Sequence, residues 1–510
     1  MHLPETGTSE DGFLVTRRQA WYAFVLSFLL MTFDFIDRQI VVSLFPYLKA
    51  EWALSDGELG ALVSVVSLAV AIGTVPLSLL ADSWGRVKSV VAMALVWSLA
   101  TIACGLAKSF PQFFLARSVI GLGEAGYGPA AGAILSSTFP KRLRATIIGA
   151  FLAAASFGSV FGVLLGGLIA VRWGWKTAFG IVGLPGLVLA GLYAFVRDYQ
   201  APALGASDAP TGPHKLLGVA YELFRARSGI AAYFAGALQL VTASAILAWL
   251  PSFFNRAYGI APDQAGIWAA AVVLCATIGA VFWAALSDKL AQRDIRYRML
   301  VPAACCFTTM IVFGIAFGML SPGLLQVAGI TSGAFLMTAA TGPVPAVAVD
   351  VVHPALRTTA GSVVTVVQNL FGLGVGPLLS GFISDAFGLQ TAMALIPISC
   401  AFAALLLVLG ARSYARDRAA LATLVVRFEK SQQLPSRPQL PGTSQIEISE
   451  ETQKRNARLD HNYRAAKQAR HEATEYGMPS QMRARRNDAA AFSLPSDGEF
   501  LTQSRRGGPR

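Results

Sequence analysis

Twelve apolar runs, each close to the length that crosses a bilayer, leave this chain few ways to fold. They fall at 21–45, 59–81, 88–107, 112–138, 146–170, 178–196, 231–254, 264–286, 299–319, 323–349, 359–383 and 391–411. A helix needs about 20 apolar residues to cross roughly 30 Å of hydrocarbon, and helices satisfy every backbone polar group without water. The alternating ~10-residue strands of an outer-membrane barrel are absent from the pattern. The reading is an all-α membrane protein with twelve transmembrane helices.

Composition closes the soluble alternatives. Charged residues make up 14% of the chain and hydrophobic ones 54%, whereas soluble domains carry about 25% charge. The net charge of +12 does not mark a nucleic-acid partner, because the Lys and Arg lie between the apolar runs and in the C-terminal tail rather than on a domain face. The five cysteines, Cys104, Cys275, Cys305, Cys306 and Cys400, sit inside apolar runs without metal-ligand spacing, so they read as small core residues. No metal or cofactor is expected. No HExxH or GxSxG motif is present, and an enzyme is not expected. Residues 1–20 show no small-residue cleavage site behind a short apolar core, so the first helix is expected to be an uncleaved anchor.

Basic residues set the orientation. Arg17, Arg18, Arg86, Lys88, Arg142, Arg144, Arg225, Arg227, Arg298, Arg357, Arg412 and Arg416 flank alternate ends of the runs, and the opposite loops hold Lys49, Lys108, Arg172, Lys176 and Arg256. With an even number of spans this places both termini in the cytoplasm.

The chain also repeats itself. Gly60 and Gly266, Gly73 and Gly279, and Asp82 and Asp288 each lie 206 residues apart. Gly158, Gly162 and Gly167 match Gly372, Gly376 and Gly381 at 214. A shift of six helices preserves direction across the membrane, so the repeat is parallel, with its axis along the membrane normal and a binding site between the halves near the midplane. The domains expected are a cytoplasmic segment 1–20, a six-helix bundle 21–196, a linker 197–228, a second six-helix bundle 229–412 and a basic, largely disordered tail 413–510 that starts with an amphipathic helix near 416–430.

Charges inside a membrane are costly and mark function. The first span carries Asp34, Asp37 and Arg38, and the fourth carries Arg117 and Glu124. The i,i+3 and i,i+4 spacings put the first three on one helix face. Depth along the two spans predicts an acidic level, Asp34 with Glu124, and a mixed level where Arg117 pairs with Asp37. Burial and a neighbouring acid favour the protonated carboxyl, while a neighbouring guanidinium favours the ionised one. Asp37, Glu124 and Asp34 are therefore the candidate proton-coupling groups. Arg38 and Arg117, with Tyr127, Gln239, Gln368 and Asn369, are the candidates for substrate binding or gating, and a freed Arg suits a carboxylate or phosphate. The polar residues of the second half, Gln239, Thr242, Ser244, Gln368 and Asn369, also read as helix–helix hydrogen bonds. Pro343 and Pro345 are expected to kink the tenth span. In the 2–3 loop, Asp82, Gly85 and Arg86 form a tight turn that with Arg144 makes a candidate conformational latch.

Asp82-x2-Gly85-Arg86-x-Lys88 and Arg117-x3-Gly121-x-Gly123 resemble the 2–3 loop and helix 4 motifs of the major facilitator superfamily, over about residues 20–412. Asp37-Arg38-Gln39, Gly123-Glu124-Ala125 with Pro129, and Arg144-Ala145-Thr146 resemble its bacterial spinster-like branch. That resemblance implies two pseudo-symmetric bundles, alternating access, proton binding by Asp37 and Glu124 and gating by Arg38. Ser78 stands where the loop motif has glycine, Asp34 where relatives carry a neutral polar residue, and Val163 where drug antiporters carry proline. The functional expectation is a proton-coupled carrier of a small organic solute, favouring an organic anion, acting as a monomer among lipids of the bacterial inner membrane. A lipid or amphiphile carrier, and a transport-inactive sensor or scaffold acting through the tail, stand as alternatives.

Overall fold

A computed structural model describes residues 13, 15–197, 219, 221–353 and 356–433. The chain divides into two units, Met1–Phe428 and Glu429–Arg510. The second lies outside the described residues beyond Gln433, and so does most of the 197–228 linker.

Among the described residues of the first unit the regular structure is helical throughout. In chain order, α1 is Arg17–Ser43, α2 Asp56–Trp84, α3 Arg86–Leu106, and α4 the pair Phe110–Glu124 and Tyr127–Thr138. They are followed by α5 Lys141–Trp173 and α6 Trp175–Tyr193. The second half holds α7 Arg227–Tyr258, α8 Pro262–Ala291 and α9 Tyr297–Gly318. In that half α10 runs from Leu324 to Asp350 and α11 from Arg357 to Phe387, each in pieces, and α12 joins Leu389–Leu395 to Ile398–Gln433. A short helix, Phe45–Trp52, connects α1 to α2. Ten of these helices are long and apolar enough to cross a membrane by length and composition. The other two, α1 and α4, are the ones that carry Asp34, Asp37, Arg38, Arg117 and Glu124.

Local chemistry fixes several ends. Ser55 and Glu58 form a reciprocal capping box at the start of α2, satisfying two orphan amides. α5 ends at Gly174 and α11 at Gly388, with φ of 82° and 85°, a backbone region in which a side chain is strained. These two turns lie 214 residues apart, the offset already seen between α5 and α11, so the repeat extends into the backbone. α10 breaks at Thr338–Ala340 into a short 3-10 turn and resumes at Pro343, because proline has no amide to give the preceding turn. α4 breaks in the corresponding place, at Ala125–Gly126. α12 runs on to Gln433, past the bundle boundary read at 412. Residues 412–425 contain no Gly or Pro, so nothing stops the helix where the apolar run ends.

Packing repeats with the same symmetry. The Gly158, Gly162 and Gly166 face of α5 lies on α1; a Cβ at Gly162 would stand 2.7 Å from the Ile36 carbonyl oxygen. In the second half Gly372 and Gly376 of α11 lie on α7, where a Cβ at Gly372 would stand 2.9 Å from the Ala237 carbonyl oxygen. Small residues allow such close backbone approach. Between the halves α5 meets α8 and α11 meets α2, a reciprocal pair under exchange of the halves. Two ends can be distinguished: a near end, where α2 and α8 begin, and a far end, where they finish. At the near end Gly60 sits against the Pro377 carbonyl and Gly381 against that of Asp56, with no room for a Cβ at either glycine. These glycine contacts join the halves at the near end. Farther along α2, Ala71 and Thr74 on the Gly60 side stay buried, while Ile72, Val75 and Leu79, which lie on another side of the helix, are 70%, 52% and 66% exposed.

Candidate functional site

The charged residues of α1 and α4 meet on the inner face of the first half, although each is nearly removed from solvent. Asp34, Asp37, Arg117 and Glu124 are buried. Arg38 bridges two acids: its Nε donates to Asp34 Oδ1 at 2.9 Å, and its Nη2 lies 2.8 Å from Glu124 Oε2. Its Nη1 has no hydrogen-bond partner among the described residues, and its guanidinium stands 5.2 Å from the centre of the Phe35 ring. Arg117 Nη1 donates to the Asp37 backbone carbonyl at 3.2 Å and lies 3.7 Å from Asp37 Oδ2, while its Nε donates to the Leu62 carbonyl at 3.3 Å. Neither carboxylate oxygen of Asp37 or of Glu124 accepts a hydrogen bond.

The depth reading places Arg117 beside Asp37, as the structure does. It did not foresee Arg38 as a bridge between Asp34 and Glu124. The bridge forms because α4 breaks immediately after Glu124, which puts that side chain at the end of a helical piece opposite the i,i+4 pair of α1.

A cavity of about 140 Å³ opens beside this cluster. Phe35, Arg38, Gln39, Ser67 and Arg117 line it from the first half, and Leu240, Ala243, Ser244, Leu247 and Leu373 from the second. Val42, Val63 and Val66 complete the first wall and Ala248 the second, so both arginines lie on one wall, half of it apolar, and the other wall is apolar apart from Ser244.

The remaining site candidates stand elsewhere. Tyr127 is fully buried, donates to the Ser27 carbonyl at 2.6 Å and packs edge-on against Trp97. Gln239 donates to the Met337 carbonyl at 2.5 Å and Asn369 to that of Thr365 at 2.9 Å. Gln368 lies between α11 and α7, where its Nε2 would be 2.9 Å from a Cβ at Gly236. None of these four lines the cavity. Tyr127 and Gln239 join helices, as polar side chains between membrane helices generally do, whereas Asn369 bonds within its own helix. At the far end, Gly85 ends α2 with φ 109° and Arg86 opens α3. Arg144 Nε donates to the Phe139 carbonyl at 3.0 Å. The side chain of Asp82 lies outside the described residues.

Sequence reasoning missed a second charged cluster, at the near end. Asp56 is 3% exposed and accepts from Arg256 Nη1 at 2.6 Å and Nη2 at 2.8 Å, from Lys49 and from Ser384. Asp385 of α11 accepts the Asp56 and Gly57 amides at 2.8 and 2.7 Å, so a carboxylate of one half sits on a helix N-terminus of the other. Nearby, Lys176 donates to Glu51 at 2.7 Å; that bond and one from Trp175 hold the Glu51 carboxyl below its usual range. The available signal was scarcity. Lys49, Lys176 and Arg256 are among the few basic residues of the sparse loops, and each is committed to an ion pair. Among the described residues no group of three or more His, Cys, Asp or Glu could hold a metal ion.

Comparison with known proteins matches this architecture. The family profile of the Major Facilitator Superfamily matches residues 27–373 and 232–434. The chain is 28% identical to an MFS-type efflux pump of Mycolicibacterium smegmatis over 72% of its length and 85% of the relative. It is 24% identical to a hexuronate transporter of Bacillus subtilis (71% and 87%) and 26% identical to a cis,cis-muconate transport protein of Acinetobacter baylyi (57% and 71%). Its fold matches the inward-facing, unoccupied crystal structure of a bacterial homologue of the human lysosomal transporter Spinster. The TM-score is 0.71 at 22% identity, covering 79% of this chain and 99% of that one.

Proposed function

Because the chain belongs to the major facilitator superfamily, and so is a multi-pass membrane transporter of small solutes, we propose that it carries a small organic monocarboxylate together with protons by alternating access. Twelve spans, cytoplasmic termini and a bacterial inner-membrane location belong to this reading. The near end then faces outward and the far end inward.

The observation that carries it is Arg38, held between Asp34 and Glu124 with one free amino group on the cavity wall. A substrate carboxylate entering from the cavity competes for that guanidinium. As Arg38 turns to the substrate, Glu124 loses its cation and takes up a proton, and the charge of the cluster is unchanged. Asp37 repeats the relation with Arg117. Asp37 and Glu124 are thus the titrating pair, and Arg38 is the group that senses the anion. Empty or loaded with both substrate and proton, the cluster carries the same charge and the halves can rock past it, whereas substrate without the proton adds an uncompensated charge.

The opposite wall narrows the substrate. Leu240, Ala243, Leu247 and Leu373 offer no partner to hydroxyl groups, and the one hydroxyl there, Ser244, is engaged by the Val241 and Gly372 carbonyls; burying an unsatisfied hydroxyl costs about 1–3 kcal/mol. About 150 Å³ holds one benzene ring, which is close to this cavity. Both features favour a short or single-ring acid with an apolar body. Hexuronate and muconate are acids too, which supports the anion but not the body.

Competition in proteoliposomes tests this. Uptake of labelled benzoate is expected, with unlabelled monocarboxylates of similar size inhibiting it at least tenfold better than sugar acids or uncharged isosteres. Equal inhibition by the uncharged isosteres would remove Arg38 from substrate recognition. Flux of lysolipids in its place would favour an amphiphile carrier.

A further inference from the structure

A second cavity lies away from the first, on the outer flank of the second half at the far end. It measures about 590 Å³ and lies between the start of α7 and the far-end part of α12. Its floor is made of small residues: a Cβ at Gly410 would stand 2.8 Å from that of Ala231. Three arginines, Arg227, Arg412 and Arg416, line it. All three are exposed, and none makes an ion pair or hydrogen bond among the described residues. The nearest acids are already engaged. Asp417 accepts the Ser228 amide and hydroxyl at 3.0 and 2.8 Å, and Glu222 pairs with Arg225 at 3.3 Å. Toward the middle of the helices the same cavity is walled by Ile230, Phe234 and Leu409, the last two 43% and 48% exposed.

We propose that this cavity binds an anionic phospholipid, with its phosphodiester on Arg227, Arg412 and Arg416 and an acyl chain along Phe234 and Leu409. Guanidinia pair bidentately with phosphate oxygens, and basic pockets between helices on the cytoplasmic side suit anionic headgroups. An apolar wall running from the cations toward mid-bilayer distinguishes a lipid from a free anion, which would gain nothing from Phe234. The site rests on the proposed orientation, which puts the far end at the inner leaflet, but not on the transported substrate.

The test uses the full chain in neutral detergent, with thermal unfolding and native mass spectrometry read after adding phosphatidylglycerol, phosphatidylcholine or inorganic phosphate. Phosphatidylglycerol alone should raise the unfolding temperature and stay bound. Arg227→Gln, Arg412→Gln and Arg416→Gln combined should weaken it on the order of 100-fold, at about 1 kcal/mol for each arginine. The matching Arg→Lys triple should keep most of the binding, which separates lost charge from lost fold. Photo-crosslinkable phosphatidylglycerol on the wild type should map to α7 and α12. Equal stabilisation by phosphatidylcholine, full competition by inorganic phosphate, crosslinks on other helices or an unaffected Gln triple would each overturn the site.

Discussion

Uptake by an Arg38→Gln variant is expected to fall by roughly 100-fold or more in kcat/KM, with protein still reaching the membrane. Removing one partner of a buried ion pair costs about 3–5 kcal/mol, and each 1.4 kcal/mol is tenfold. Arg38 serves three partners at once: Asp34, Glu124 and, on the proposed mechanism, the substrate carboxylate. Glutamine cannot span the two acids, so Asp34 and Glu124 must hold a proton to remain buried, and the cluster loses the change of partner that couples proton to substrate. Arg38→Lys should recover only a small part, because a single ammonium cannot bond Asp34 and Glu124 through separate nitrogens. Adding Glu124→Gln to Arg38→Gln should improve expression without restoring uptake, since it removes an unpaired buried acid but not the missing cation. Uptake within a few-fold of wild type in Arg38→Gln would contradict the role assigned to this residue.

The second large effect is conformational. Asp56→Ala is expected to release the near end and shift the protein toward the opposite-facing state. Asp56 gathers Arg256, Lys49 and Ser384 across the junction between the halves, and its loss leaves Arg256 without the acid that holds it. Asp385→Ala, which removes the carboxylate from the first amides of α2, should act in the same direction and more weakly. A cysteine placed at Gln39, in the cavity, reports the change. Its labelling by a membrane-impermeant thiol reagent added outside should rise at least tenfold in Asp56→Ala. The native cysteines interfere little, four of the five being buried. Unchanged labelling would mean that the near end is held by packing alone, through contacts such as Gly60 on Pro377 and Phe45 against Trp249.

How far the sequence disclosed this arrangement depended on the range of each interaction. The helices were legible because a membrane span is a local property of about twenty residues. The repeat was legible because glycines that set close packing recur at a fixed offset, and the Gly174 and Gly388 turns extend it. The residues of the polar cluster were legible because charge in an apolar run is rare. Their partners were not. Arg38 reaches Glu124 only because α4 breaks after that residue, and the near-end network joins positions as far apart as Asp56 and Asp385, which no periodicity connects. Tyr127 shows the opposite failure. It stands among the candidates for substrate binding or gating, yet its ring fills the core next to Trp97 and its hydroxyl is satisfied by one carbonyl, as buried tyrosines usually require.

Proton movement during uptake tests the central claim most directly. In proteoliposomes loaded with a pH-sensitive dye and held without a pH gradient, adding benzoate outside should acidify the lumen as it enters through the wild-type protein. Glu124→Gln should abolish that signal while leaving benzoate exchange across the membrane measurable. Benzoate entry with no accompanying acidification in the wild type, or acidification undiminished in Glu124→Gln, would contradict a carrier that trades an arginine's acid partner for a proton.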